Sequence, residues 1–357
     1  LKPIYISNAT AISPQRQDSD LLFDTLVQEE NNRLIAIEPD YSAIIPPMQL
    51  RRMSKVLKMG VYCGMQCLQD AAITKPDGII TGTAKGSMID TEKFVKELKT
   101  YHEAALNPTP FILSTYNAIN GAIALQTQAT GYNQTYVHRG SSFENALYDA
   151  QLLLQENDDI KHYLVGAFEA STDEYYKVKA KAGYWKTQRN TQLFLYQDHN
   201  TPGTALGEGA AFFLASNHKT ALHTLCLHHV SSYTSIQPSD IVEILNNVLQ
   251  KAGWQLSDMD TLILGNNGDV HDEIYYNELQ QATGGHLPSI AFKHLCGEYE
   301  TAGSFALWML QQMASLKPMA QNIWNKASDN ADYQPKKVLY YNHYRATNHN
   351  FMLIELL

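Results

Sequence analysis

The chain of 357 residues is poor in cysteine, in positive charge and in long apolar runs. Its four cysteines are Cys63, Cys67, Cys226 and Cys296. None belongs to a Cys-x-x-Cys pair, and four are too few for a disulfide framework. Cys63 and Cys67 stand four positions apart on an expected helix and share a face. No further metal-ligating residues accompany them, so they read as core packing. No apolar run reaches the roughly 18 residues of a membrane-crossing helix, so no membrane span is expected. The chain starts at Leu1, and its first residues read as a strand rather than as a signal peptide. The lack of an initial Met suggests a trimmed N-terminus, and the cytoplasm is the default compartment. The net charge of −9 argues against nucleic acid as a partner. It also gives this chain alone no strong docking surface for an acidic carrier protein.

What is present is ordinary for a globular α/β protein: 44% apolar and 18% charged residues. The length allows one large domain or two halves sharing a core. Short β-branched and aromatic runs predict strands over Ile4–Ile12, Gly78–Thr83, Thr135–His138, His162–Phe168, Ala210–Leu214 and Thr261–Leu264. Amphipathic stretches between them predict helices over Met53–Ala72, Thr91–Leu98, Ser142–Gln155, Pro238–Ala252 and Ala302–Leu316. Alternation of the two means an α/β fold. Residues near 14–33 and 184–203 are polar and read as surface loops. Each half holds a strand, a helix and a glycine-punctuated turn. Asn217–Thr220 is the best join, giving halves 1–216 and 217–357.

Several segments, in order, resemble the β-ketoacyl-acyl carrier protein synthases. Arg51 to Lys55, running on to Gln69–Ala72, is similar to their first long helix, and Thr81–Gly86 to their early glycine turn. Pro110–Phe111 with Ser114–Asn117 resembles the dimer-interface segment that lines the acyl tunnel. Val165–Ala170 resembles a core strand. Leu206–Ala210, and Lys293 with Gly297 and Thr301–Gly303, are similar to family signatures. Thr347–Asn348 followed by Phe351–Glu355 resembles the closing turn and strand. Each motif alone is weak; their order and spacing carry the resemblance. It implies a thiolase-like, five-layered αβαβα fold of two similar halves, normally dimeric, with no cofactor and no metal.

Ketosynthase chemistry needs a cysteine thiolate to hold the acyl chain as a thioester, at a helix N-terminus that lowers its pKa. It also needs two histidines that polarise the extender unit and stabilise the enolate. Aligned on the resemblance, Gly140 takes the position of the cysteine, within Val137–Leu147. Glycine cannot hold an acyl group. Ser141 and Ser142 next to it are candidate nucleophiles with His138 as base, or caps of the following helix. The turn of the first histidine is rebuilt around Asn266-Asn267-Gly268, and His271 nearby reads as a surface residue. In the second histidine's step Lys293 and Gly297 remain and Glu298 replaces the histidine. A buried Glu298 beside Lys293 is expected to form an ion pair; the alternative is a general acid or base with a raised pKa. Cys296 reads as packed. Asn342–Asn348 lacks the flexible glycines of the family's gating loop, which stiffens it and fills the pocket, unless His343 lines a remodelled one.

The losses gather at the site while scaffold motifs persist. The resemblance then implies a chain-length-factor-like subunit: a non-catalytic partner of an intact ketosynthase in a heterodimer, shaping a tunnel for an acyl chain carried on acyl carrier protein. Leu106, Phe111, Thr115 and Asn117, with His343, are the residues expected to line that tunnel. Type II fatty acid or polyketide synthesis, including aryl polyene or resorcinol pigments, is the implied setting. The alternatives are an atypical enzyme on acyl carrier protein thioesters, acyl-transferring through Ser141 or decarboxylating through Glu298 with Asn266, and a protein that binds acyl chain without reaction.

Overall fold

Strand β1 (Ile4–Ile12) lies between the two halves of the chain and pairs on both edges. This architecture is seen in a computed structural model that describes residues 1–17, 21–27, 32–104, 106–156, 159–187, 201–326 and 333–357. Strands β2 (Gly78–Gly82), β3 (Tyr132–Tyr136), β4 (His162–Glu169) and β5 (Gly209–Ser216) complete the first set, in the order β3-β2-β4-β5-β1. The second set holds β6 (Leu225–Thr234), β7 (Thr261–Leu264), β8 (Ser289–Ala291), β9 (Trp324–Lys326), β10 (Lys337–Tyr344) and β11 (Asn348–Leu356). Its order is β6-β11-β10-β7-β8-β9. β2 runs parallel to β3 and β4, whereas β5 is antiparallel to β4 and β1. β7 repeats this as the parallel neighbour of β8 and β10, with β11 antiparallel to β10 and β6. The two sets therefore share one topology, and a three-residue ladder between β1 and β6 joins them.

The strands β2, β5 and β7 are buried along their whole length, as strands covered on both faces must be. Helices Lys55–Asp70 and Ala118–Thr127 cover the outer face of the first set through Val56, Met59, Cys63, Cys67, Ile119 and Ile123. Helices Ile241–Ala252 and Glu273–Ala282 cover the outer face of the second through Ile244, Leu245, Val248, Tyr276 and Leu279. Helices Ser142–Gln155 and Gly303–Ala314 lie in the middle, sharing one core with strands of both sets. The result is the five-layered αβαβα arrangement.

Burying Gly303–Ala314 requires a helix with no charged residue, and all its side chains except Ala314 are buried. Two glycine motifs interlock beneath it. A Cβ on Gly207 would meet the Cys296 carbonyl oxygen at 2.0 Å, and one on Gly297 would meet the Gly207 Cα at 2.5 Å. Gly297 also has φ +78°, in the left-handed region. This contact holds Glu298 against the Ala205–Gly207 backbone, with Gly207 N donating to the Glu298 carbonyl at 3.0 Å.

Two sequence expectations need correction. Gln15, Leu22, Phe23 and Asn32, within the stretch read as a surface loop, are buried. Gln15 donates through Nε2 to the Leu295 carbonyl at 2.9 Å, so a polar side chain here closes the core rather than facing water. Strand β3 is set at Tyr132–Tyr136 rather than Thr135–His138, because Gly78–Gly82 pairs with it residue for residue. Most of the second polar stretch, 188–200, lies outside the described residues.

Candidate functional site

β3 leads through His138 into a turn at Arg139–Ser141 and then into the helix Ser142–Gln155. Arg139 takes φ +47°, a left-handed conformation unusual for a side-chain-bearing residue, and so bends the chain sharply. Gly140 follows it, buried. A Cβ at Gly140 would lie 2.2 Å from the Cβ of Tyr344 and 3.1 Å from the Cβ of Asn348. Tyr344, at the end of β10, therefore fills the space a nucleophile's side chain would need. Asn350 Nδ2 donates to the Gly140 carbonyl at 2.7 Å and fixes the turn from β11.

The neighbouring serines differ. Ser142 Oγ accepts from His138 N at 2.8 Å and donates to the Arg139 carbonyl at 2.8 Å, so it ties the turn together. Ser141 is 1% exposed, and its Oγ has no hydrogen-bond partner. His138 Nδ1 is paired instead with Asn145 Nδ2 at 2.8 Å. Among the described residues no base is thus within hydrogen-bond reach of Ser141 Oγ, and neither serine makes a side-chain cap on the helix.

Lys293 and Glu298 meet. Lys293 Nζ lies 3.0 Å from Oε1 and 2.8 Å from Oε2 of Glu298, and donates also to the His343 carbonyl at 3.0 Å. Both side chains are buried, at 0% and 2% exposure. Burial pushes the Glu298 carboxyl up, and Lys293 and Asn267 act against that rise. Asn267, not Asn266, completes this group: its Nδ2 donates to Glu298 Oε2 at 2.7 Å and to Asp272 Oδ2 at 2.8 Å. Asn266 turns away and donates to Glu273 at 3.0 Å. His271 is exposed.

His343 is fully buried. One ring nitrogen is 3.2 Å from the Asp272 carbonyl, and the other accepts from Ala346 N at 3.2 Å. Its ring stacks on Tyr276 at 4.6 Å. Burial holds its pKa well below the ordinary value, so it is neutral at pH 7. His343 is therefore a packed core residue and does not line an open pocket. The other tunnel candidates lie at the surface: Phe111 is 55% exposed, Thr115 and Asn117 are exposed and Leu106 is half-buried.

A second buried charge group was not legible in the sequence. Lys85 Nζ is paired with Glu300 and lies 3.4 Å from Glu169 Oε2. Glu169 accepts from Thr83 Oγ1 at 2.9 Å and from the Ala84 amide. Tyr175 and Tyr344 both donate to Glu300 Oε1 at 3.2 Å. Tyr344 thus covers Gly140 and is anchored at its hydroxyl by Glu300. Burial pushes the Glu169 carboxyl up despite Lys85. Burial also pushes Glu300 upward, but Lys85 and the hydrogen bonds outweigh it and leave that carboxyl below its usual range. Glu144, on the helix after Gly140, accepts from Tyr340 at 2.8 Å and is pushed up to about 7 by burial. Lys85, Glu169 and Glu300 sit inside or beside the glycine-rich motifs, so their presence could be read. Their pairing, across 84 and 215 positions, could not.

The arrangement is closed. Lys85 and Lys293 are each paired with carboxylate, the nucleophile's position is filled, and among the described residues the Ser141 hydroxyl has no base. Such a site can brace the fold but offers no activated nucleophile.

The family described as "Beta-ketoacyl synthase, N-terminal domain" matches residues 27–243. No curated protein matches the chain. Among solved structures, the ishigamide ketosynthase/chain length factor is 15% identical, with 100% of both chains covered and a TM-score of 0.75. A β-ketoacyl synthase from Burkholderia phymatum is 13% identical over 100% of both chains, with a TM-score of 0.79. A ketosynthase in complex with its chain length factor from Xenorhabdus doucetiae is 13% identical, covering 100% of this chain and 98% of that one, with a TM-score of 0.75. At these identities the likeness is one of fold.

Proposed function

From the premise that this chain belongs to the β-ketoacyl synthase family, we propose that it is a non-catalytic, chain-length-factor-like partner of an intact ketosynthase. It contributes to a heterodimer of type II fatty acid or polyketide synthesis and shapes the tunnel that receives an acyl chain on acyl carrier protein. Aryl polyene or resorcinol pigment synthesis is the setting we favour. The observation that carries this reading is the filled nucleophile position, where Tyr344 takes the space beside Gly140.

A second feature supports it. Among the described residues β3 has β2 as its sheet partner and ends the sheet, leaving an unpaired edge. Tyr132 on β3, Val137 just after it and Tyr148 on the neighbouring helix Ser142–Gln155 are large and exposed, and Phe111, Ile112 and Tyr116 are exposed as well. A single chain gains nothing from exposing such a group; a partner subunit would bury it. Leu106, Phe111, Thr115 and Asn117 would then face that partner, and their bulk would set tunnel depth.

The enzymatic alternative through Ser141 or Glu298 has less support. Ser141 lacks a base, and Glu298 has both oxygens on Lys293. Co-expression with an intact ketosynthase from the same source tests the proposal. A one-to-one complex lost in Phe111→Asp supports it; a homodimer that never takes up such a partner refutes it.

A further inference from the structure

Away from this site, three metal-type donors converge where the two halves of the sheet meet. Cys226 and His228 are two positions apart on β6, and Glu355 on β11 is the ladder partner of Cys226. The Cys226 Sγ, a ring nitrogen of His228 and a carboxylate oxygen of Glu355 all lie within 4.8 Å of one another. His228 Nε2 is 2.9 Å from Glu355 Oε2. We propose that Cys226, His228 and Glu355 form a binding site for Zn²⁺ or a chemically similar borderline divalent cation.

The donor chemistry favours this class. One thiolate, one imidazole and one carboxylate make a mixed S, N, O set of the kind Zn²⁺ accepts, and three protein ligands leave a fourth position for water. Metal–ligand bonds of roughly 2.0–2.3 Å set tetrahedral donors about 3–4 Å apart, so the present group closes on an ion by side-chain rotation alone. The ladder pairing fixes the backbone of Cys226 and Glu355 directly, and His228 stands at the register shift beside them. Tyr5, the partner of Cys226 on β1, walls the remaining side. The ring of Trp254 lies 4.9 Å from that of His228 and limits its rotation. Lys337, opposite Glu355 in the ladder, is engaged over the Trp254 ring at 4.9 Å and with Asp258 at 3.8 Å. The His228 and Glu355 side chains are 21% and 37% exposed, which gives an ion a route in. On binding, the thiol proton leaves to water and a metal–sulfur bond replaces the S–H bond. The ion would clamp β6 to β11 and stabilise the folded chain by mass action.

The test is titration of the metal-free protein with Co²⁺ and then Zn²⁺. Among the described residues Cys226 is the one cysteine that belongs to a group of three ligand-type side chains, so a sulfur-to-cobalt charge-transfer band reports on it. The expected result is one ion per chain, a charge-transfer band that Zn²⁺ displaces, and a Tm raised by Zn²⁺. Cys226→Ser removes the band, and His228→Ala and Glu355→Gln each weaken Zn²⁺ binding at least about tenfold. Should Cys226→Ser fail to fold, the other two variants decide, because their side chains are partly exposed. Absence of the band, or Zn²⁺ affinity unchanged in both His228→Ala and Glu355→Gln, overturns the proposal.

Discussion

Gly140→Ala is expected to destabilise the protein by about 1–3 kcal/mol, the range for overpacking a filled interior. The added Cβ would sit 2.2 Å from the Cβ of Tyr344. That atom is attached directly to the backbone and cannot swing aside as the end of a flexible side chain could. Tyr344 is also held by its pairing with Asn348 across the β10–β11 ladder and by Glu300 at its hydroxyl. Relief therefore needs Tyr344→Gly, since Tyr344→Ala keeps the clashing Cβ. Tyr344→Gly alone removes a large, half-buried side chain and is expected to cost at most about 3–5 kcal/mol, the range for a fully buried aromatic. In that background Gly140→Ala should cost less, since only the 3.1 Å approach to the Asn348 Cβ remains, giving a coupling of about 1 kcal/mol or more between the two sites. Urea unfolding at pH 7 of the wild type, both single variants and the double variant measures it. Gly140→Ala within about 0.5 kcal/mol of wild type, or an equal cost in both backgrounds, would refute the claim that Tyr344 fills this position.

Lys293→Met leaves Glu298 buried without its cation and should cost about 3–5 kcal/mol; Lys293→Met with Glu298→Leu should cost less than the single change, as urea unfolding will show. Glu144 has a folded pKa of about 7 against an ordinary 4.5, so it favours folding fully below pH 4.5 and loses that contribution as pH rises through 7. The shift is worth on the order of 3 kcal/mol, and Glu144→Gln should flatten the stability profile between those pH values. Gly140→Cys should gain no acyl adduct when incubated with acyl thioesters and weighed intact, because Tyr344 occupies the space. A clean adduct on that cysteine would show the pocket still opens.

Much of the scaffold was legible. Ile4–Ile12, Thr261–Leu264 and Ser142–Gln155 have the same bounds in pattern and in structure, because β-branched residues at the strands and amphipathic spacing along the helix mark them. β6 escaped notice because its His228, His229, Ser231 and Ser232 break the apolar run, although β11 pairs with it along its length. The glycine motifs identified the turns, but only the structure shows why glycine is needed: Gly207 and Gly297 touch backbone to backbone. At the site, Lys293 and Glu298 could be paired from proximity in sequence. Asn267 could not be separated from Asn266, since one residue of rotation decides which amide faces inward. Tyr344 over Gly140 is a contact between residues 204 positions apart, and no local pattern encodes it.

The central claim is that this chain supports a ketosynthase and does not carry the acyl chain itself. The most direct measurement is intact mass of both subunits after the co-expressed complex meets an acyl thioester. The account predicts an acyl mass on the intact ketosynthase and none on this chain. An acyl mass on this chain, lost in Ser141→Ala, would contradict it.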